Sequence, residues 1–223
     1  MKKITIVFLL IIYALAGNAQ DISKAVNLEK YKEDNAAIKK TVVFIGNSIT
    51  QGWADSRPEF FADNGYIGRG IGGQTSPQLL LRFRHDVINL HPAAVVINIG
   101  TNDIAQNTGE YNPDFTKACI QSMAELADYN GIKVILSSVT PAGEYPWRKE
   151  ITYVAQKIDE LNDWIKRYAW SKGFEYIDYN KPMRDSKGAM IKEYTTDGVH
   201  VTATGYAIME KLAKEKIDEV LAY

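Results

Sequence analysis

Three side chains in this 223-residue sequence, one of them far from the other two, have the types needed for nucleophilic attack on a carbonyl. A serine hydroxyl is a poor nucleophile until a base takes its proton. A neutral imidazole, held in the right tautomer by a carboxylate, is such a base. Ser48, in Ile45-Gly46-Asn47-Ser48-Ile49-Thr50, supplies the hydroxyl, and Asp197-Gly198-Val199-His200 supplies the carboxylate and the imidazole. Gly198 permits a tight turn, so both side chains of that tetrad can face one site. Donors are also needed where the carbonyl oxygen turns negative. Asn102, in Gly100-Thr101-Asn102-Asp103, offers a side-chain amide, and Gly73, in Gly70-Ile71-Gly72-Gly73-Gln74-Thr75, a backbone N–H. Each also has a plainer reading when taken singly. Asp197 and His200 read as a polar turn capping the last helix, Ser48 as a helix start, Asn102 as a turn former and Gly73 as permissive backbone. His85 and His91 lie in or beside a helix, away from any strand end, and read as surface residues.

Something must bring these distant residues together. Residues 41–46 (TVVFIG) and 93–100 (AAVVINIG) are continuous apolar, β-branched-rich runs, as expected of strands buried on both faces. Residues 132–139 and 174–179 read as two more strands, and 66–71 as a glycine-interrupted fifth. Helices fill the gaps. One runs from Pro77 to about Leu90, and a second carries Phe115, Cys119, Met123 and Leu126 on one face and ends at Gly131. A third steps by three and four through Ile151, Val154, Ile158, Leu161, Ile165 and Tyr168 to Gly173. The last begins near Thr202 and buries Tyr206, Met209, Leu212 and Ile217; residues 21–40 are also expected to be helical. Strands alternating with helices make an α/β fold with a parallel sheet and helices on both faces. Ligands of such sheets bind beyond the carboxyl ends of the strands. Ser48, Gly73 and Asn102 all fall there.

In this order and setting the motifs resemble the SGNH/GDSL hydrolase superfamily, over residues 40–222. Gly46 to Thr50 matches the nucleophile block, Gly70 to Thr75 and Gly100 to Asp103 the two oxyanion blocks, and Asp197 to His200 the closing block. The resemblance implies a three-layer αβα sandwich on a five-stranded parallel sheet of flavodoxin-like order. It implies a serine esterase with Ser48, Asp197 and His200 catalytic, and an oxyanion hole from Ser48, Gly73 and Asn102. Two departures stand out: Asn47 replaces the usual aspartate of Gly-Asp-Ser, and Gln74 the aspartate usual after the block-two glycine. The stretch Gly68-Arg69-Gly70-Ile71-Gly72-Gly73 is similar to the platelet-activating-factor acetylhydrolase branch, which also holds carbohydrate acetylesterases, so short acyl groups, acetyl above all, are implied. Loop aromatics Trp53, Tyr111, Tyr145 and Trp147, with Arg148, are candidates for a pocket mouth; Trp53, Trp147 and Arg148 are the expected substrate contacts, packing of the loops being the other reading. The alternatives are a lysophospholipase or phospholipid acetylhydrolase, and a catalytically silent binding module on the same scaffold.

The rest of the sequence narrows the setting. Met1-Lys2-Lys3, an apolar run to Leu15 and small residues before Ala19 form the three-part layout of an export signal, cut after Ala19. The run is short of the roughly 20 apolar residues a spanning helix needs, so no stable membrane insertion is expected once it is removed. Residues 20–223 then form one domain. A net charge of −1 offers no basic field for nucleic acid or anionic lipid. Cys119 is single, so it forms no internal disulfide, and no zinc or calcium spacing is present. No metal and no cofactor are expected. Gly70-x-Gly72-Gly73 lacks dinucleotide-loop spacing. The expected partner is a small-molecule or glycan ester.

Overall fold

The computed structural model describes residues 21–36 and 42–222. The expected export signal, residues 1–19, and the last part of the expected 21–40 helix lie outside the described residues.

The chain opens with two short helices, α1 (Ile22–Ala25) and α2 (Lys32–Ala36). β1 (Val42–Gly46) is followed by α3 (Ser48–Ser56) and α4 (Pro58–Asp63), then β2 (Tyr66–Gly70) and α5 (Ser76–Asp86). β3 (Ala94–Asn98) leads into α6 (Thr101–Ile104) and α7 (Pro113–Tyr129), and β4 (Lys133–Ser137) into α8 (Val154–Lys172). β5 (Glu175–Ile177), α9 (Asn180–Met183) and α10 (Ala203–Leu221) complete the order. The five strands form one parallel sheet in the order β2-β1-β3-β4-β5. This is the flavodoxin-like arrangement, whose switch point lies between β1 and β3.

Both sheet faces are covered, which is why the strands are apolar without alternation. Val43, Ile45, Val95, Ile97, Val134 and Leu136 join one core with Leu79 of α5, Met123 of α7 and Leu161 of α8. The alternate residues Val42, Phe44, Val96 and Ile135 join a second core with Ile49 and Trp53 of α3 and Tyr206 and Met209 of α10. Burying both faces supplies roughly 25 cal/mol for each Å² of apolar surface removed from water.

Local chemistry sets the helix boundaries. Gln78 Oε1 accepts from Thr75 N at 3.0 Å and Pro77 occupies the first turn of α5. Asn112 caps α7 and Thr202 caps α10. Gly173 ends α8 in the left-handed conformation. Four expectations need correction. Ile151 is buried ahead of α8, because Tyr153 takes a left-handed φ of 57° and the helix starts only beyond it. α5 stops at Asp86, and residues 88–90 form a 3-10 turn. The segment 21–36 is two helices split by Asn27, itself left-handed at φ 53°. Leu212 is half-buried, at the edge of its core.

Candidate active site

Ser48 is the first residue of α3, at the carboxyl end of β1. Asn47 caps that helix, its Oδ1 accepting from Ile49 N at 3.0 Å. Asn47 is fully buried, so an asparagine makes this cap without burying a charge. The turn is tight against its neighbour strand. A Cβ at Gly70 would stand 2.6 Å from Thr50 C and 2.7 Å from Asn47 O, too close for any other residue.

His200 reaches Ser48 because α10 is tied to α3. Tyr206 Oη donates to Ile49 O at 2.9 Å, and Glu210 accepts from Trp53 Nε1 and pairs with Arg57. The preceding loop folds on itself: Thr195 Oγ1 donates to His200 O and accepts from Gly198 N. Asp197 Oδ1 accepts from the N–H groups of Val199 and His200, and its Oδ2 lies 2.7 Å from His200 Nδ1. His200 Nε2 lies 3.2 Å from Ser48 Oγ. With Nδ1–H given to the carboxylate, Nε2 is left to accept the serine proton. Partial burial pushes the Asp197 carboxyl upward, but the His200 side chain and the two N–H donors outweigh it and hold its pKa below the ordinary aspartate value. The histidine and aspartate side chains are 41% and 37% exposed, so this centre is open to solvent.

The loop of residues 70–75, expected from the sequence to carry an oxyanion donor, lies beside the serine: a Cβ at Gly72 would be 3.7 Å from Ser48 Cβ. Gly72 N donates to Gln51 Oε1 at 2.9 Å, and Gly73 follows with a left-handed φ of 77°. Asn102, buried at the start of α6, donates one amide hydrogen to Gln74 O at 3.0 Å. Asp103 anchors the other end of this junction, accepting from Ser76 N, Ser76 Oγ and Thr116 Oγ1. Burial drives the Asp103 carboxyl above its ordinary value despite those donors.

The structure therefore brings Ser48, Gly73, Asn102, Asp197 and His200 to one sheet edge. Trp147 joins them, its ring 5.9 Å from that of His200. Arg148 lies nearby, bonded to Gln106 O and Glu150. Trp53 does not join them. It is 2% exposed, stacks between Phe60 and Tyr206, and is a core residue rather than a substrate contact. Tyr145 is likewise fully buried, and Tyr111 packs on the α8-side core. Sequence reading passed over Asn107. Its amide nitrogen donates to Gly73 O and to Asn102 Oδ1, both at 3.1 Å, while its Oδ1 accepts from Trp147 Nε1. Its own stretch, the turn-rich Gln106-Asn107-Thr108-Gly109, does not mark it out from any other loop asparagine. His85 and His91 are exposed and remote, and Cys119 is buried in α7. Among the described residues no helix is long and apolar enough to cross a membrane.

A comparison with curated proteins gave no match. Among solved structures, a GDSL-like lipase from Bacteroides thetaiotaomicron VPI-5482 is 54% identical with a TM-score of 0.85, over 87% of this chain and 98% of that one. An acylhydrolase candidate from Bacteroides fragilis NCTC 9343 is 50% identical with a TM-score of 0.86, over 88% and 98%. Axe2, an acetylxylan esterase from Geobacillus stearothermophilus, shares the fold at 18% identity and a TM-score of 0.59, over 80% and 94%. A model of the GDSL-like lipase/acylhydrolase family matches residues 44–208, from β1 into α10. Matched over that span, the chain belongs to the GDSL-like lipase/acylhydrolase family and is a carboxylic-ester hydrolase.

Proposed function

We propose that this chain is an exported serine esterase that removes short acyl groups, acetyl above all, from carbohydrates. Ser48 Oγ attacks the ester carbonyl while its proton passes to His200 Nε2. Asp197 holds the other ring N–H and stabilises the imidazolium. The N–H groups of Ser48 and Gly73 and the Asn102 amide receive the oxyanion. Collapse expels the alcohol, protonated by His200. Water, deprotonated by the same imidazole, then releases the acid and frees Ser48.

The observation that carries this reading is the unbroken line from Ser48 Oγ through His200 to Asp197, at 3.2 and 2.7 Å. It also argues against a silent module. Asn47 and Gln74 both hold other groups and neither interrupts that line. Export rests on the leader layout of residues 1–19. A short acyl group and a sugar are favoured by the polar surroundings, Trp147 beside His200, and the acetylxylan activity of the Geobacillus neighbour.

Fluorophosphonate labelling tests the mechanism, because only an activated serine reacts. The parent protein should label and hydrolyse p-nitrophenyl acetate, and Ser48→Ala should do neither. Hydrolysis by Ser48→Ala at the parent rate would sink the proposal. Acetate release from acetylated glycans, compared with acid release from long-chain lipid esters, decides the substrate class.

A further inference from the structure

The family model begins at residue 44, yet the segment before it is bound to the oxyanion loop. Val26 is 2% exposed. Its carbonyl accepts from Gln74 Nε2 at 2.8 Å, and the carbonyl of Ala25 accepts from Gln78 Nε2 at 3.0 Å. Tyr31 Oη and Lys30 Nζ both donate to Gly70 O, and the Arg69 guanidinium lies over the Tyr31 ring. Asn35 bonds Arg69 and Asp86. Contacts run along the segment from Ala25 to Asn35.

Gln74 sits at the centre of this arrangement. Its Oε1 accepts from Arg82 Nε at 2.7 Å, while Arg82 also holds Asp86, Gly46 O and Arg69 O in full burial. Its backbone carbonyl accepts from Asn102. One side chain thus needs an acceptor for Arg82 and a donor for Val26 O. A glutamine has both, whereas an ionised carboxylate has no donor. The departure from the usual aspartate follows from the segment that Gln74 must hold.

That segment also borders a groove. Ala25, Asn27, Gly73, Asn107, Trp147 and Arg148 line it. Amides and a guanidinium are donors and acceptors for hydroxyl groups, and an indole face packs on the C–H face of a sugar ring. We propose that residues 21–31 are a strap walling the groove that takes the alcohol half of the ester, a sugar, and that Gln74 is the positioning residue locking the strap to the oxyanion loop. The proposal rests on the esterase reading above.

Two full-length variants test it. Gln74→Glu keeps the acceptor for Arg82 and removes the donor to Val26 O. Amide hydrogen exchange across residues 22–31 should quicken, and KM for an acetylated xylo-oligosaccharide should rise more than kcat falls. Ala25→Trp fills the groove from the strap side. The ratio of its kcat/KM for that oligosaccharide to its kcat/KM for p-nitrophenyl acetate should fall about tenfold, equivalent to roughly 1.4 kcal/mol. Unchanged exchange in Gln74→Glu overturns the lock. An unchanged ratio in Ala25→Trp overturns the wall. Neither result touches the esterase reading, which has its own readout in parent hydrolysis of p-nitrophenyl acetate and labelling of Ser48.

Discussion

Asn102 has two amide hydrogens and gives one of them to Gln74 O, so in the proposed mechanism the other is the one that receives the developing oxyanion. Asn107 fixes which way that amide points, by donating to Asn102 Oδ1. Asn102→Ala should lower kcat about 100- to 1000-fold with a much smaller change in KM, measured on p-nitrophenyl acetate. The ionisation of Asp197 makes a second prediction. Because its carboxyl is held below the ordinary value, it stays charged well into acid. Its carboxyl 13C chemical shift should therefore keep the value of the charged form down past the ordinary aspartate pKa of about 4. A titration midpoint above about 4 would mean that burial outweighs the His200 side chain and the two N–H donors. Ser48, Gly73, Asn102, Asp197 and His200 could be read together in the sequence because each stands directly after an apolar run or in a short motif, in one order along the chain. Asn107 and Arg82 could not. Their partners are mostly backbone carbonyls or side chains of other segments, and no local pattern encodes such a pairing.

Secondary elements were legible wherever burial is periodic. The three long helices α7, α8 and α10 announce themselves by apolar steps of three and four, and the strands by apolar runs. What periodicity does not carry is the destination of a single large side chain near a functional turn. Trp53 lies five residues after Ser48, and α3 turns it inward, against Phe44 at 5.4 Å and Tyr206 at 5.7 Å. Trp53→Ala should therefore lower unfolding free energy by about 3–5 kcal/mol in a denaturant titration, the usual range for emptying an aromatic core site. A substrate contact would give the opposite pattern, with KM displaced and stability kept. The left-handed residues Asn27 and Tyr153 are a second kind of hidden information. Neither is a glycine, and each breaks an element that its neighbours' propensities would continue.

For the molecule as a whole, the parallel sheet covered by helices on both faces was the most accessible feature, since strands alternating with helices require it; the strand order came with the family resemblance. The strap was the least accessible, because its worth lies in contacts with residues 69–86 and not in its own pattern. The solvent exposure of His200 and Asp197 has one further consequence at this scale. A centre left this open by the described residues does not require its substrate to be threaded, trimmed or presented by a terminus. Under the proposed function, an ester midway along a polymer can approach from above as freely as one on a monosaccharide, and the released acid can drift off while the polymer, uncut, stays where it was.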